Sequence, residues 1–363
     1  MISPSRTTIV LLAIVVLVVL LASVSLALHW SEVDEWLHGY RVTLLDEGVV
    51  PVAIAANTEG NTFLAAHVGD GKNRVVRWTL AGREWVPLRS DDRALTGALA
   101  INGDGGIVGS LRTPMSYLWT LADGVRELET LGDPRTVPSD VNDRGEVVGW
   151  AVAAQLGKWR ATLWDIEGGI RDLGGLTPSG ESAAQAISNR GWVVGQGKAA
   201  DSTIHPLLWK PAEPLRDLGV LPGFNGGSCV DINDRGEVLV RLTKAGPVVG
   251  ASTFYLGALY LWGDETGFRK VATPSGFSSF RGVAINNRGA ILLQGSNPPS
   301  RSLVGFIVHG ESIRELPVPH GVEQAHWKGL SDNGWLIGNG SPGVTQKKYD
   351  LVPERGFLVK LLW

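Results

Sequence analysis

The chain has 363 residues, including 47 glycines, 19 prolines, two methionines and one cysteine, and its formal net charge is -3. So much glycine favours short elements joined by tight turns, because glycine adopts the positive φ angles that turns require. The nearly neutral charge provides no basic surface for DNA or RNA, and the single Cys229 excludes an intrachain disulfide and every multi-cysteine metal site.

The first predicted element is an apolar segment near the N-terminus. Residues Ile9–Leu28 carry no charge, and twenty helical residues at about 1.5 Å each match the roughly 30 Å core of a bilayer. Arg6 precedes the segment and acidic residues follow it, which predicts a cytoplasmic N-terminus and an exported body. A signal anchor over residues 1–29 is the favoured interpretation, with a cleaved signal peptide as the alternative. Residues 30–39 are predicted to form a short stalk.

Residues 40–363 are built from a repeat whose best copies contain the hexapeptides Asp140–Gly145 and Asp231–Gly236. In each copy an apolar strand leads to Asn or Ser, two further residues and a glycine, and a second apolar strand follows. This pattern predicts a hairpin whose glycine is left-handed. The seven glycines are 40 to 53 residues apart, and they are Gly60, Gly105, Gly145, Gly191, Gly236, Gly289 and Gly334.

The two hexapeptides also match the start of a calcium-binding loop. The fifth loop position, however, is Arg144 or Arg235, where calcium needs an oxygen ligand. The twelfth position is Ala151 or Leu242, where a bidentate glutamate is expected. The sequence therefore favours a plain turn at both places and predicts no metal site.

A second marker in each unit is an aromatic residue on the predicted third strand. A fixed aromatic can stack on a sugar or pack between blades, and its constant strand position favours packing. A fourth strand with an arginine follows, as in Ile170–Gly174. Four strands in about 45 residues match one propeller blade. The aromatic residues are Trp78, Trp119, Trp164, Trp209, Trp262, Phe306 and Phe357.

The predicted fold is an all-β, seven-bladed β-propeller over residues 40–363, preceded by one N-terminal transmembrane or signal helix. The seventh copy stops at its third strand, Gly356–Trp363. The segment Tyr40–Leu45 carries the arginine found on the fourth strands of the other copies. We therefore expect this N-terminal strand to complete the last blade, because closure leaves no open sheet edge.

The repeated motifs resemble the HAF family of extracellular repeats. The best matches pair Val141–Gly149 with Ala161–Leu176, and Ala186–Gly195 with Leu207–Leu221. The resemblance extends over residues 40–363 and is looser in the first, sixth and seventh copies. It implies export and a propeller-like β fold, and it brings no established activity or catalytic residues.

Motifs of catalysis are weak throughout the sequence. There is no H-E-x-x-H, no G-x-S-x-G and no phosphate-binding glycine loop. A pair of carboxylates brought together by the fold stays open as a glycosidase site, although most acidic residues fall in predicted turns. The sequence predicts no catalytic residue and no cofactor, and it favours a protein that is not an enzyme.

Candidate binding residues lie in the longer loops, which all fall on one face of the predicted ring. Loops on a rigid scaffold commonly carry recognition, and aromatic or imidazole groups suit stacking on a sugar or anchoring a peptide. Packing within the loops is the alternative. The candidates are Trp159, His205, Phe224, Phe254, Tyr255, Phe277, His320 and Trp327.

The function predicted from these observations is an extracytoplasmic module that binds a protein or glycan at the cell surface. The module is expected to be membrane-anchored through its N-terminal helix, or else secreted. An exported polysaccharide hydrolase or lyase is one alternative. A structural surface module without a ligand is the other.

Overall fold

The computed structural model of the protein describes residues 40–45, 49–68, 74–79, 82–85, 95–111, 115–244, 256–277, 279–297, 302–318, 322, 324–341 and 355–361. Strands and turns make up these residues. The described part contains no helix long and apolar enough to cross a bilayer. The predicted anchor over 1–29 and the stalk over 30–39 lie outside the described residues.

The strands are mostly five to eight residues long and follow one another closely along the chain. In chain order they are β1 (Tyr40–Leu44), β2 (Val49–Ala56), β3 (Thr62–Val68), β4 (Arg74–Thr79), β5 (Gly82–Trp85), β6 (Leu95–Ile101), β7 (Ile107–Leu111), β8 (Ser116–Thr120), β9 (Gly124–Glu127), β10 (Gly132–Val141), β11 (Val147–Ala153), β12 (Lys158–Trp164), β13 (Ile170–Asp172), β14 (Ser182–Ile187), β15 (Val193–Lys198), β16 (Ile204–Trp209), β17 (Arg216–Asp217), β18 (Gly226–Ile232), β19 (Val238–Lys244), β20 (Leu256–Gly263), β21 (Gly267–Lys270), β22 (Ser279–Ile285), β23 (Ile291–Asn297), β24 (Ser302–His309), β25 (Ser312–Glu315), β26 (Gln324–Leu330), β27 (Trp335–Ser341) and β28 (Arg355–Leu361).

These strands form seven sheets, which are the blades of a β-propeller. Blades 1 to 6 have four strands each, in the orders β2-β3-β4-β5, β6-β7-β8-β9, β10-β11-β12-β13, β14-β15-β16-β17, β18-β19-β20-β21 and β22-β23-β24-β25, and blade 7 contains β26, β27 and β28. Residues Leu44–Leu358 form one compact unit. All of the contacts described below lie within that unit. The all-β, seven-bladed architecture is therefore confirmed.

The repeated Asn-x-x-Gly segments, in which Ser188 and Ser331 replace the asparagine of two copies, are turns between the first and second strands of the blades. At Asn102 the backbone N–H donates to the carbonyl of Gly106 at 3.0 Å, and the amide of Gly105 donates back to the carbonyl of Asn102 at 3.0 Å. The side-chain oxygen of Asn102 accepts the amide of Gly106 at 2.7 Å. The seven repeat glycines have φ angles between 76° and 86°, a left-handed conformation that strains any residue with a Cβ.

The aromatic marker packs between blades, as the sequence predicts. Trp119, Trp164, Trp209 and Trp262 are at most 6% exposed. In blade 6, however, Val308 and not Phe306 pairs with the first residue of the second strand. Phe306 lies two residues earlier, and Trp78 of blade 1, which pairs with Leu64, has the same shift, so the predicted equivalence of these two residues to the other four tryptophans was wrong. Because side chains alternate along a strand, a shift of two residues keeps the ring on the same face of the sheet.

Apolar clusters fill the spaces between neighbouring blades. The cluster between blades 4 and 5 contains Val194 and Leu208 of blade 4 and Val240 and Trp262 of blade 5. A similar cluster joins blades 2 and 3 around Trp164. Burial of such side chains stabilises each blade by roughly 1.5–3 kcal/mol per large residue. The blades therefore depend on their neighbours for their cores.

The repeated Arg-Asp-Leu-Gly segment has a structural role. In blade 3, Asp172 accepts the amide of Gly174 at 2.8 Å and forms an ion pair with buried Arg160 at 3.0 Å. In blade 4, Asp217 accepts the amide of Gly219 at 2.8 Å and contacts His205 at 2.8 Å. The aspartate thus caps the turn that leaves the fourth strand and ties it to the third.

We expect Asn102→Ala to lower the free energy of unfolding by about 2–3 kcal/mol, because it leaves buried backbone donors and an acceptor without partners. The side chain of Asn102 is 6% exposed and also donates to the carbonyl of Asn142 at 2.8 Å in the next blade. Chemical denaturation measures the change. Asp104→Ala alters an exposed side chain of the same turn and should stay within about 0.5 kcal/mol of the parent. Equal losses in the two variants would contradict this role of Asn102.

Candidate functional site

A small cavity of about 160 Å³ lies on the propeller axis, where the first strands of all the blades end. Its wall includes an axial ring of alternating acidic and amide side chains. The ring consists of Asp143, Asn189, Asp234, Asn287 and Asp332.

Each side chain of the axial ring accepts a backbone amide from the preceding blade. The amide of Asp143 donates to Asn189 at 2.9 Å, that of Asn189 to Asp234 at 2.6 Å, and that of Asp234 to Asn287 at 2.6 Å. The side-chain amide of Asn189 also donates to the carboxylates of Asp143 and Asp234. These polar groups form hydrogen bonds with one another, so the axial ring has the structural role of holding neighbouring blades together. No cluster of His, Cys, Asp or Glu among the described residues could hold a metal ion.

Two further carboxylates lie behind the axial ring. Asp140 accepts the amide of Ile187 at 2.9 Å, and Asp231 accepts the amide of Ile285 at 2.8 Å, so each links its blade to the next. Burial raises the pKa of Asp140 to about 6. Burial, together with the charge of Asp140, raises the pKa of Asp231 to about 8. Both carboxyl groups therefore hold a proton more tightly in the folded protein than in the unfolded chain.

A larger groove opens on the opposite face of the propeller, between blades 4 and 5. It has a volume of about 450 Å³, within the roughly 300–1,000 Å³ range of small-ligand sites. Its walls come from the turn between β15 and β16, from the chain entering β18, and from the end of β19. We call it the blade 4/5 groove. Its polar lining includes Gln196, Asp201, Thr203, Asn225, Ser228, Arg241 and Thr243.

One wall of the blade 4/5 groove is a tight turn. The amide of Ala199 donates to the carbonyl of Thr203 at 2.8 Å, and Ser202 has a positive φ of 70°. Asp201 accepts the backbone amide of Thr203 at 3.0 Å and its hydroxyl at 2.5 Å. These bonds, the hydroxyl first, lower the pKa of Asp201. The turn therefore presents an ionised carboxylate at the rim.

Two glycines, Gly226 and Gly227, form the floor of the blade 4/5 groove, and a side chain at either position would crowd its neighbours. A Cβ on Gly226 would lie 3.1 Å from the carbonyl oxygen of Ile204 in blade 4, and one on Gly227 would lie 3.4 Å from the Cδ of Pro206 in blade 4. The two glycines therefore allow blades 4 and 5 to approach while the groove stays open between their loops.

His205 contacts Thr203, which is one of the residues that line the groove. Its Nε2 lies 2.9 Å from the Thr203 hydroxyl, and its Nδ1 lies 2.8 Å from Asp217. Asp217, His205 and Thr203 follow one another as in the acid–base relays of hydrolases, but the Thr203 hydroxyl donates its proton to Asp201 and not to the imidazole. Arg160 and Asp172 occupy the same places on the third and fourth strands of blade 3, so His205 also fills a structural position of the repeat.

The other predicted binding residues do not form one site. Trp159 is 48% exposed and stacks edge-on against Trp150 at 5.6 Å. Phe224 and Phe277 are partly buried and pack against the cores between blades. Trp327 is 1% exposed, so it offers no ring to a ligand. Phe254, Tyr255 and His320 lie outside the described residues.

Sequence reasoning missed Gln196 and Arg241 as groove residues. Both stand five residues after a repeat glycine, on the second strand of their blades. Most neighbouring positions of the repeat are apolar or glycine in every copy, whereas this one changes from blade to blade, and that contrast was a usable signal. The residues at this position are Ala65, Ser110, Trp150, Gln196, Arg241, Gln294 and Asn339.

No family model and no curated protein matches the chain. Among solved structures, the fold is similar to virginiamycin B lyase from Staphylococcus aureus, with a TM-score of 0.55 and 13% identity over 89% of this chain and 99% of that one. It is also similar to YCF48 bound to D1 peptide, with a TM-score of 0.53 and 10% identity over 90% of this chain and 97% of that one. At such identities the likeness establishes the fold alone.

We expect the stability of the protein to fall as pH rises from about 4 to about 8. The folded-state pKa of Asp231, about 8, lies above its ordinary value of 3.8, so the folded state binds the proton more tightly over this interval. Asp231→Asn removes that titration and should flatten the fall. Urea denaturation at pH 5, 7 and 8.5 provides the measurement. A parent protein that gains stability over this interval would refute the assignment.

Proposed function

We propose that this propeller is an extracytoplasmic binding module that holds a glycan on the face carrying the blade 4/5 groove. The observation that supports the proposal best is the groove itself, which combines hydroxyl, amide and charged groups from two blades. A sugar presents many hydroxyl groups, each of which donates and accepts hydrogen bonds. A wall of such partners suits a sugar better than an apolar molecule.

Trp159 provides a second element of recognition in this proposal. Its exposed ring is held edge-on by Trp150, and a rigid exposed tryptophan can stack on the apolar face of a sugar. Trp150 occupies in blade 3 the position that Gln196 occupies in blade 4. A glycan longer than one sugar would then contact neighbouring blades of the same face.

A protein ligand and an exported hydrolase or lyase are the other candidate functions. The solved structure of YCF48 holds a peptide, and virginiamycin B lyase is an enzyme. The contact of His205 with Asp217 and Thr203 favours the enzyme. In blade 3, Arg160 and Asp172 occupy the places of His205 and Asp217 and form an ion pair without any imidazole. This equivalence favours a structural role for His205.

The proposal also includes export of the propeller from the cytoplasm and closure of its last blade by an N-terminal strand. The apolar segment Ile9–Leu28 and the resemblance to HAF repeats support export of the body, with the segment as an anchor or a signal peptide. We also propose closure of the last blade by the strand that begins at Tyr40. The backbone bond from Leu45 to the carbonyl of Gly356, 2.9 Å long, supports this closure.

Binding of the full chain, purified in detergent, to a glycan array tests the proposed function. We expect retention of one glycan class without any change in its mass. Asn225→Ala removes a polar side chain from the groove wall and should weaken binding by about 5- to 10-fold, as expected for one lost hydrogen bond. Thr120→Ala, on the opposite face, is the matched control and should bind as the parent does.

Three results would count against the proposal. Release of a shortened glycan would identify a hydrolase or lyase. Retention of peptides but not of glycans would identify a protein-binding module. Equal losses in Asn225→Ala and Thr120→Ala would remove the groove from the binding site.

A further inference from the structure

Among the described residues, Arg241 is a cation of the blade 4/5 groove that has no ion-pair or hydrogen-bond partner. It lies on β19, opposite Ser228 of β18 and Leu259 of β20, and its side chain is exposed. In the part of the chain that the structure describes, its guanidinium forms no ion pair and no hydrogen bond. By contrast, Arg160 and Arg235 are each paired with a carboxylate.

The stem of Arg241 is supported beside the groove. Gly257 stands on the neighbouring strand, and the Cγ and Cδ of Arg241 would lie 3.4 and 3.6 Å from a Cβ built there. Those distances are ordinary contacts, so the stem lies along the bare backbone of Gly257. This contact limits the positions that the Arg241 guanidinium can adopt, and it therefore lowers the conformational entropy lost when a ligand binds.

The chemistry of the groove limits what can bind beside Arg241. A guanidinium offers a fork of N–H donors that matches a carboxylate through two parallel hydrogen bonds. Asp201 on the other wall is held by Thr203, and its carboxylate can accept further hydrogen bonds from the hydroxyl groups of a ligand. A ligand with one carboxylate and several hydroxyls fits both walls.

We propose that the glycan bound in the blade 4/5 groove is an acidic one, and that Arg241 binds the carboxylate of a uronic or sialic acid unit. This inference rests on the proposed function. An acidic peptide offers the same carboxylate, but it would need apolar pockets for neighbouring side chains. Among the described residues, Ile204 is the single aliphatic side chain that lines the groove, and this lining favours the sugar.

The test uses the full chain in detergent and oligosaccharides of galacturonate, glucuronate and N-acetylneuraminate, each beside its methyl ester. The ester keeps the ring hydroxyls and removes the charge. We expect the parent to bind at least one acid about tenfold more tightly than its ester. Arg241→Gln should abolish that preference, and Arg241→Lys should keep part of it, because lysine retains the charge without the fork.

Arg314→Gln is the matched control, since Arg314 is an exposed arginine of β25 outside the groove. It should keep the preference of the parent, and thermal melting should show that all variants fold. Equal binding of acids and esters by the parent would overturn the role of Arg241 and leave the proposed function intact. Failure to bind any glycan, charged or neutral, would overturn both. Binding of an acidic peptide that Arg241→Gln abolishes would replace the glycan by a peptide.

Discussion

The structure depends on one constraint, which is that the polar groups of every axial turn must find partners in a crowded space. A buried donor or acceptor without a partner costs about 1–3 kcal/mol, and each blade brings several such groups to the axis. The turns satisfy them across blades, because the side chain of one turn accepts the backbone amide of its neighbour. The hydrogen bonds that complete one blade therefore also place the next.

Because of this constraint, the two faces of the propeller differ in how freely their residues can be substituted. On the face of the axial turns, the asparagine, the glycine and the second turn residue each have a partner or a conformation to maintain. On the opposite face, the turns between the second and third strands carry no such repeated bonds where the structure describes them, so nearby residues such as Arg241 and Gln196 can change without loss of the scaffold. The blade 4/5 groove arises on that freer face, with two rigid blades as its walls. Recognition is commonly built in this way.

The sequence predicted the fold better than the site for a physical reason. An asparagine followed three residues later by glycine has few stable backbone conformations, so the turns and the blade count follow from local chemistry. The position of Phe306 was misread because a shift of two residues along a strand leaves the pattern of buried faces unchanged. The groove brings Thr203 of blade 4 beside Arg241 of blade 5, and only the packing of blades reveals that pairing. Trp327 looked like a loop anchor, yet it is 1% exposed because it packs on Phe357.

Hydrogen exchange of the backbone amides at the axis tests the central role of the axial ring most directly. Turn amides at a protein surface normally exchange through local opening, far faster than core strands. The amides of Asp143, Asn189, Asp234 and Asn287 donate around the ring, so we expect them to exchange only with global unfolding, at the free energy of the central strands. Rapid exchange of these amides, while the strands stay protected, would contradict the account.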